Sequence, residues 1–183
     1  MGWSPGDIPR ARLIRWAVTV VVLVVGLVVL VQGANRPANP VLEQATRAPV
    51  SGFGEISYRV ASAAPGGAAW RCALLAESVQ QQERGLMGRT DLAGHDGMLF
   101  RFPKDTTTSF FMKDTRIPLS IAWFDSGGKF VSSTDMPPCG DLPVCPTYSA
   151  TAPYRYALEV RQGALPGLGV HPSARIDLRE GCS

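Results

Sequence analysis

Apolar positions along this chain follow several rhythms, and each predicts a different element. From Ala17 to Val31 the run AVTVVVLVVGLVVLV carries no charge, and a helix from Trp16 to Gly33, rising about 1.5 Å per residue, roughly covers a ~30 Å hydrocarbon core. In water this valine-rich segment has poor helix propensity and no polar face to show. Lipid removes the objection, because a spanning segment satisfies its backbone there as a helix. The period then drops to two. Ile56, Tyr58 and Val60 alternate with Ser57 and Arg59, and after a turn from Ala61 to Ala69, Trp70, Cys72, Leu74 and Ala76 form the inward set of a second strand.

A helical rhythm interrupts the strands once. Ser78 with Gln81 three residues on fits a capping box, and Val79, Glu83, Leu86 and Met87 supply a partly apolar face up to a stop at Gly88. Strand spacing then returns over Met98–Phe102, Ser109–Lys113 and Leu119–Phe124, followed by the turn Asp125-Ser-Gly-Gly128 into Lys129–Ser132. Tyr154, Tyr156, Leu158 and Val160 alternate with Arg155, Ala157, Glu159 and Arg161, which predicts one core face and one wet face; Ile176 and Leu178 give a last strand. The fold expected is mostly β: an antiparallel sandwich, jelly-roll-like, or a partly closed barrel with one short helix, preceded by one N-terminal transmembrane helix.

Charge sets the topology. Arg10, Arg12 and Arg15 against the single Asp7 hold the N-terminus in the cytoplasm. The organisation expected is a cytoplasmic flank (1–15), a signal anchor (16–33), a stalk with Pro37, Pro40 and Pro49 (34–52) and an extracytoplasmic domain (53–183). A cleaved signal peptide is the alternative; its apolar core is usually about 7 to 15 residues, and the small-x-small sites around Gly33 are poor. Either reading exports the domain. The whole chain has 18 Lys+Arg against 15 Asp+Glu; removing residues 1–34 takes three arginines and one aspartate and leaves 15 against 14. The basic balance therefore belongs to the cytoplasmic flank and gives no argument for nucleic acid as a partner.

All four cysteines, at 72, 139, 145 and 182, fall in the exported part, where an even count reads as disulfides. The turn-rich stretch between Cys139 and Cys145 favours that pair, leaving Cys72 with Cys182, although three pairings are formally possible. A zinc site from these cysteines and His171 is the sharper alternative, against which stands a Cys139-to-Cys145 spacing wider than the usual clamp. Neither a metal nor a cofactor is assigned.

Glu83-Arg-Gly-Leu-Met-Gly-Arg89, Gly97-Met-Leu-Phe100, Phe110-Phe-Met-Lys-Asp-Thr115, Pro118-Leu-Ser-Ile121 and Tyr156-Ala-Leu-Glu-Val160 with Gly163 together resemble the domain-of-unknown-function 192 family, also called uncharacterised protein family 0127. The resemblance runs from about Trp70 to Leu178 and implies a compact β domain of sandwich or jelly-roll type, often exported or membrane-anchored, with no established activity, cofactor or substrate. Three positions depart from the family pattern. Phe111 and Asp114 stand where the family usually has Trp and Asn, and Ser120 where it usually has Asp. Asp114 beside Lys113 raises the expectation of an internal ion pair, and Ser120 weakens any paired-carboxylate or metal role there.

The candidate ligand-binding set is Arg84, Arg89, Phe111, Lys113, Asp114, Thr115 and Glu159. On an architectural reading these groups cap the helix and fix strand register, while Leu86, Met87, Met98, Phe100, Phe110 and Met112 are core. On the functional reading they edge a concave face, with Phe111 or Tyr148 as a stacking platform and Arg89 plus Lys113 facing an anionic or polyhydroxylated ligand. The function expected is a non-enzymatic binding or assembly module for envelope polymer or an envelope protein. A carboxylate-dependent hydrolase acting on envelope glycan is the competing class, and it needs two of Glu83, Asp114 and Glu159 facing each other at roughly 5 to 9.5 Å. His95 and His171 read as solvated turn residues rather than bases. A purely structural interaction protein would instead show a flat apolar area above ~400 Å².

Overall fold

The structure is a computed structural model that describes residues 47–61, 69–140 and 144–182. The expected anchor and most of the expected stalk lie outside the described residues. Among those described, no helix is long and apolar enough to cross a membrane.

The chain runs β1 (Gly54–Ala61), β2 (Arg71–Ala76), α1 (Val79–Arg84), β3 (Gly97–Thr106), β4 (Phe110–Phe111), β5 (Leu119–Phe124), β6 (Phe130–Met136), β7 (Thr147–Tyr148), β8 (Tyr154–Arg161), a 3-10 turn (Pro166–Leu168) and β9 (Arg175–Glu180). Seven strands form one sheet in the order β6-β5-β8-β3-β2-β1-β9, and β4 and β7 pair as a separate ribbon. The sheet curls into a half-barrel. At its open seam Lys129 bridges Arg175, and the Phe130 and Ile176 N–H groups donate to the Ala174 and Gly128 carbonyls at 3.0 and 2.8 Å. Gly128 permits that approach, since a Cβ there would sit 2.5 Å from the Ile176 carbonyl oxygen.

The architecture is thus the partly closed barrel and not a two-sheet sandwich. Nor is it wholly antiparallel: β2 and β3 run parallel, with Ala73 opposite Gly97 and Ala76 opposite Phe100. Parallel neighbours need a crossover of a dozen or more residues, and residues 77–96, which contain α1, supply it.

Both faces of the sheet are buried. One cluster draws Ile56, Tyr58, Leu99, Phe124, Leu158, Val160 and Ile176 from both ends of the sheet and fills the curl. On the opposite face Leu74, Met98, Phe100, Ile121, Trp123 and Ala157 are covered by Leu86, Leu92, Met112 and Ile117 from connecting segments. The wet face expected for β8 is therefore corrected, because Ala157 and Glu159 are buried beneath those segments. Trp70 is likewise not inward. It is 37% exposed, between the Arg59 and Arg179 guanidinium groups at 4.8 and 4.7 Å.

The helix is shorter than its apolar pattern suggested. The capping box at Ser78 is present, yet α1 ends at Arg84 with Gly85 as its cap and buries none of its residues; Val79 is 69% exposed. Of the Ser109–Lys113 strand only Phe110–Phe111 is extended, because the Thr115 N–H closes a turn onto the Met112 carbonyl. Disulfides join Cys139 to Cys145 and Cys72 to Cys182.

Candidate functional site

The short helix owes its position to its polar face. Gln81 Nε2 donates to the Gly52 carbonyl at 2.9 Å, Gln82 Nε2 to the Arg101 carbonyl at 2.9 Å and Arg84 Nη2 to the Ser51 carbonyl at 2.6 Å. The Arg84 guanidinium also lies 4.3 Å from the centre of the Phe53 ring. These bonds clamp α1 to β3 and to the last residues of the expected stalk segment. Opposite α1, β3 swells out of register. Arg101 faces Tyr156, but the next pair is Thr106 with Tyr154, so Phe102, Pro103 and Lys104 bulge away from β8.

Between the clamped helix and this bulge lies a cavity of about 410 Å³. Its walls are Leu86, Met87, Phe100, Phe102, Phe110 and Phe111, and its polar lining includes Gln82, Glu83, Arg84, Lys104, Thr115 and Glu159. Phe100 and Phe110 meet edge to face with centroids 5.0 Å apart. Phe111 is 44% exposed.

Glu159 is the unusual member. It stands on β8 directly between Met98 of β3 and Ile121 of β5, both fully buried, and is itself only 5% exposed. Among the described residues no donor reaches its carboxyl group, and burial alone pushes the group up from 4.5 to about 8. The strands crowd around it because residue 97 is glycine; a Cβ there would lie 2.3 Å from the Glu159 carbonyl oxygen.

Of the seven residues singled out from sequence, Arg84, Phe111, Thr115 and Glu159 line this cavity, whereas Arg89, Lys113 and Asp114 do not. Arg89 is committed elsewhere, its Nη2 3.0 Å from the Asp91 carboxylate and its Nε donating to the Asp91 carbonyl. Backbone donation from Ala93, then Arg89, holds the Asp91 carboxyl low. Lys113 and Asp114 are exposed and form no ion pair with each other, which corrects that expectation. What the sequence needs at 114 is backbone freedom: Asp114 has φ 53°, and its carbonyl accepts the Gly88 N–H at 2.8 Å. Asparagine and aspartate both tolerate that region. Ser120 is structural as well, donating to the Asp135 carboxylate and accepting the Gly163 N–H at 2.9 Å.

Tyr148 faces Phe110 across the β4–β7 ribbon and does not line the cavity. Sequence reasoning overlooked Phe102, Lys104 and Gln82; Pro103 inside a strand pattern was the available signal for a bulge.

His95 is not a solvated turn residue. It is buried, Nδ1 3.0 Å from the Leu92 carbonyl oxygen and Nε2 2.7 Å from a Glu55 carboxylate oxygen. Ligand atoms of Glu55, Cys72 and His95 lie within 4.8 Å of one another, but Cys72 is bonded to Cys182. All four sulfurs are in S–S bonds, which removes them as thiolate ligands and corrects the zinc alternative. His171 is half-buried and accepts from the Ser173 backbone N–H at Nδ1.

The profile of the family DUF192, described as "Uncharacterized ACR, COG1430", matches residues 61–178, from the end of β1 into β9. The chain belongs to DUF192. Two solved structures are similar to it. One, from Sinorhizobium meliloti 1021 and described as a candidate transcription regulator, is 28% identical with a TM-score of 0.61, covering 72% of this chain and 98% of its own. The other, a protein of unknown function from Novosphingobium aromaticivorans DSM 12444, is 25% identical with a TM-score of 0.59, covering 72% and 90%. No functionally curated protein matches. In DUF192 terms, part of the cavity lining comes from segments that carry the resemblance, namely Glu83–Met87, Phe100, Phe110, Phe111, Thr115 and Glu159, and the rest from Val79, Gln82 and residues between Phe102 and Ser109.

Proposed function

We propose that this DUF192 chain is a membrane-anchored, extracytoplasmic binding module that takes a segment of envelope polymer or of an envelope protein into the cavity beneath α1, without catalysing a reaction on it. The observation that carries the reading is the convergence of Arg84, Phe111, Thr115 and Glu159 on one aromatic-walled cavity of about 410 Å³, a size and lining suited to a small group or side chain. Two disulfides suit an oxidising compartment, and the apolar run at 17–31 with its arginine flank supports the anchor. The regulator description of the Sinorhizobium protein finds no support in this chain's charge: Arg59, Arg71, Arg89, Arg101 and Arg155 each face a carboxylate.

A hydrolase is the second reading, because Glu83 and Glu159 line the same cavity and a carboxyl raised to about 8 suits a general acid. Against it, Asp114 lies outside the cavity and Glu83 sits on the exposed side of α1. The purely structural reading loses ground for the opposite reason, since it calls for a flat apolar area instead of a polar-floored cavity.

Sealed protoplasts displaying the full chain test the proposal. External protease should remove the domain, and solubilised envelope fragments should be retained in a form released intact, with retention falling at least tenfold in Phe111→Ala. Protection from protease, or equal retention by the variant, defeats the reading. Release of shortened glycan that ceases in Glu159→Gln establishes the hydrolase.

A further inference from the structure

The cavity's chemistry is lopsided, and the imbalance identifies a ligand class. Its deepest polar group is the carboxyl of Glu159, without a donor among the described residues and set between Met98 and Ile121. Thr115 adds a hydroxyl already donating to the Lys113 carbonyl at 3.3 Å. Around them stand Phe100, Phe102, Phe110 and Phe111. The charged groups lining the cavity are Glu83 and Arg84 from α1, Lys104 from β3 and Glu159 from β8. Arg84 is turned to the Ser51 carbonyl and the Phe53 ring, and Lys104 and Glu83 are exposed.

Each ligand chemistry meets this floor differently. An anion would bring its charge against a desolvated acid. A polyhydroxylated ligand needs several aimed donors and acceptors, but the lining hydroxyls of Thr106 and Thr108 are bonded to each other and that of Ser109 to Ser149, each at 2.8 Å, which leaves one carboxyl and one engaged hydroxyl beside the phenylalanines. A wholly apolar ligand would seal the carboxyl away from water without a partner, which is unfavourable. An ammonium group supplies both the missing donors and the missing charge, and aromatic faces attract it as well.

We propose that the cavity binds an organic cation, an ammonium group on an apolar stem, with the Glu159 carboxylate as counter-ion and the four phenylalanines as walls. This rests on the binding-module reading and names its ligand class; it reverses the anionic preference inferred from Arg89 and Lys113, neither of which lines the cavity. Binding requires the ionised acid, so the bound cation expels the proton that burial retains on Glu159. The carboxyl O–H bond breaks, its proton goes to solvent, and no other covalent bond changes.

Calorimetry on the detergent-solubilised full chain, with 2-phenylethylammonium, 2-phenylethanol and 3-phenylpropionate as probes from pH 6 to 9, tests it. The ammonium should bind at least tenfold tighter than either isostere at pH 8. Its affinity should rise by roughly tenfold per pH unit below about 8 and then level off. Glu159→Gln should lose at least tenfold for the ammonium alone, and carboxyl infrared or NMR titration should place Glu159 lower when the probe is bound. Nα-acetyl-lysine methylamide, run in parallel, separates a free cation from a side-chain amine on a polymer by which of the two binds tighter. The proposal is overturned if the alcohol or the acid binds as well, if affinity is flat or falls with pH, or if the folded Gln variant or Phe111→Ala binds the ammonium unchanged. It is overturned too if no probe binds. If envelope fragments are still retained through Phe111 in any of those cases, the binding-module reading stands and only the cationic assignment is lost.

Discussion

At the scale of single residues, Glu159 and Gly97 are one device. The glycine lets β3 close onto β8 so tightly that the acid's own backbone fills the space a side chain would need. Gly97→Ala should therefore destabilise by about 2–3 kcal/mol, since the obstructing atom is backbone and cannot rotate away. A lower urea midpoint with an unchanged slope would register it; an unchanged midpoint would mean that the strands separate freely. Glu159 was legible as a candidate because it falls in the Tyr156–Val160 motif, and Phe111 and Thr115 because they fall in the Phe110–Thr115 motif. Arg89 and Lys113 carried the same sequence signal, a cation inside a motif, yet point elsewhere. Their fate is set by short-range geometry that periodicity does not encode: Asp91 two residues after Arg89, and the left-handed turn at Asp114 immediately after Lys113.

Among the elements, period-two spacing located Leu119–Phe124 and Tyr154–Arg161 as strands, but these are inner strands with a neighbour on each side and burial on both faces, so it could not tell which face is wet. It could not reveal which strands pair. β2 and β3 each look like half of a hairpin, and only the 20-odd residues of crossover between them argue for parallel neighbours. Helix length failed for a similar reason. Leu86 is buried by tertiary packing after α1 has ended, so the apolar pattern runs on past the end of the helix. The disulfides followed from loop chemistry and predict unequal costs. Cys72–Cys182 spans 110 residues and Cys139–Cys145 spans 6, so chain entropy assigns them about 5 and about 2 kcal/mol. Paired Cys→Ser variants should show that order in chemical denaturation. A reversed order would mean that the short bridge holds the β4–β7 region, and with it the cavity mouth, by more than loop closure.

For the whole molecule, an acid buried without a partner among the described residues should leave a mark on the pH dependence of folding. Unfolded, the Glu159 carboxyl loses its proton near 4.5; folded, it keeps it to about 8. Between those values the native state binds more protons than the unfolded chain, so stability falls as pH rises. The slope from this group approaches about 1.4 kcal/mol per pH unit and vanishes below 4.5 and above 8. Asp91 works in the opposite sense: held low by Ala93 and Arg89, it adds stability above its unfolded value that is lost as pH falls through its folded one. It is solvent-exposed and therefore screened. Glu159→Gln removes the descending arm, so thermal unfolding at pH 4 should place variant and wild type together, and at pH 8 the variant should melt well above the wild type. Equal melting points at both pH values would mean that a donor reaches the carboxyl in solution, which would remove the argument for a cation. A domain that is more stable without its buried acid at pH 8 holds that acid for something other than folding, and the aromatic-walled cavity is the part of the molecule placed to use it.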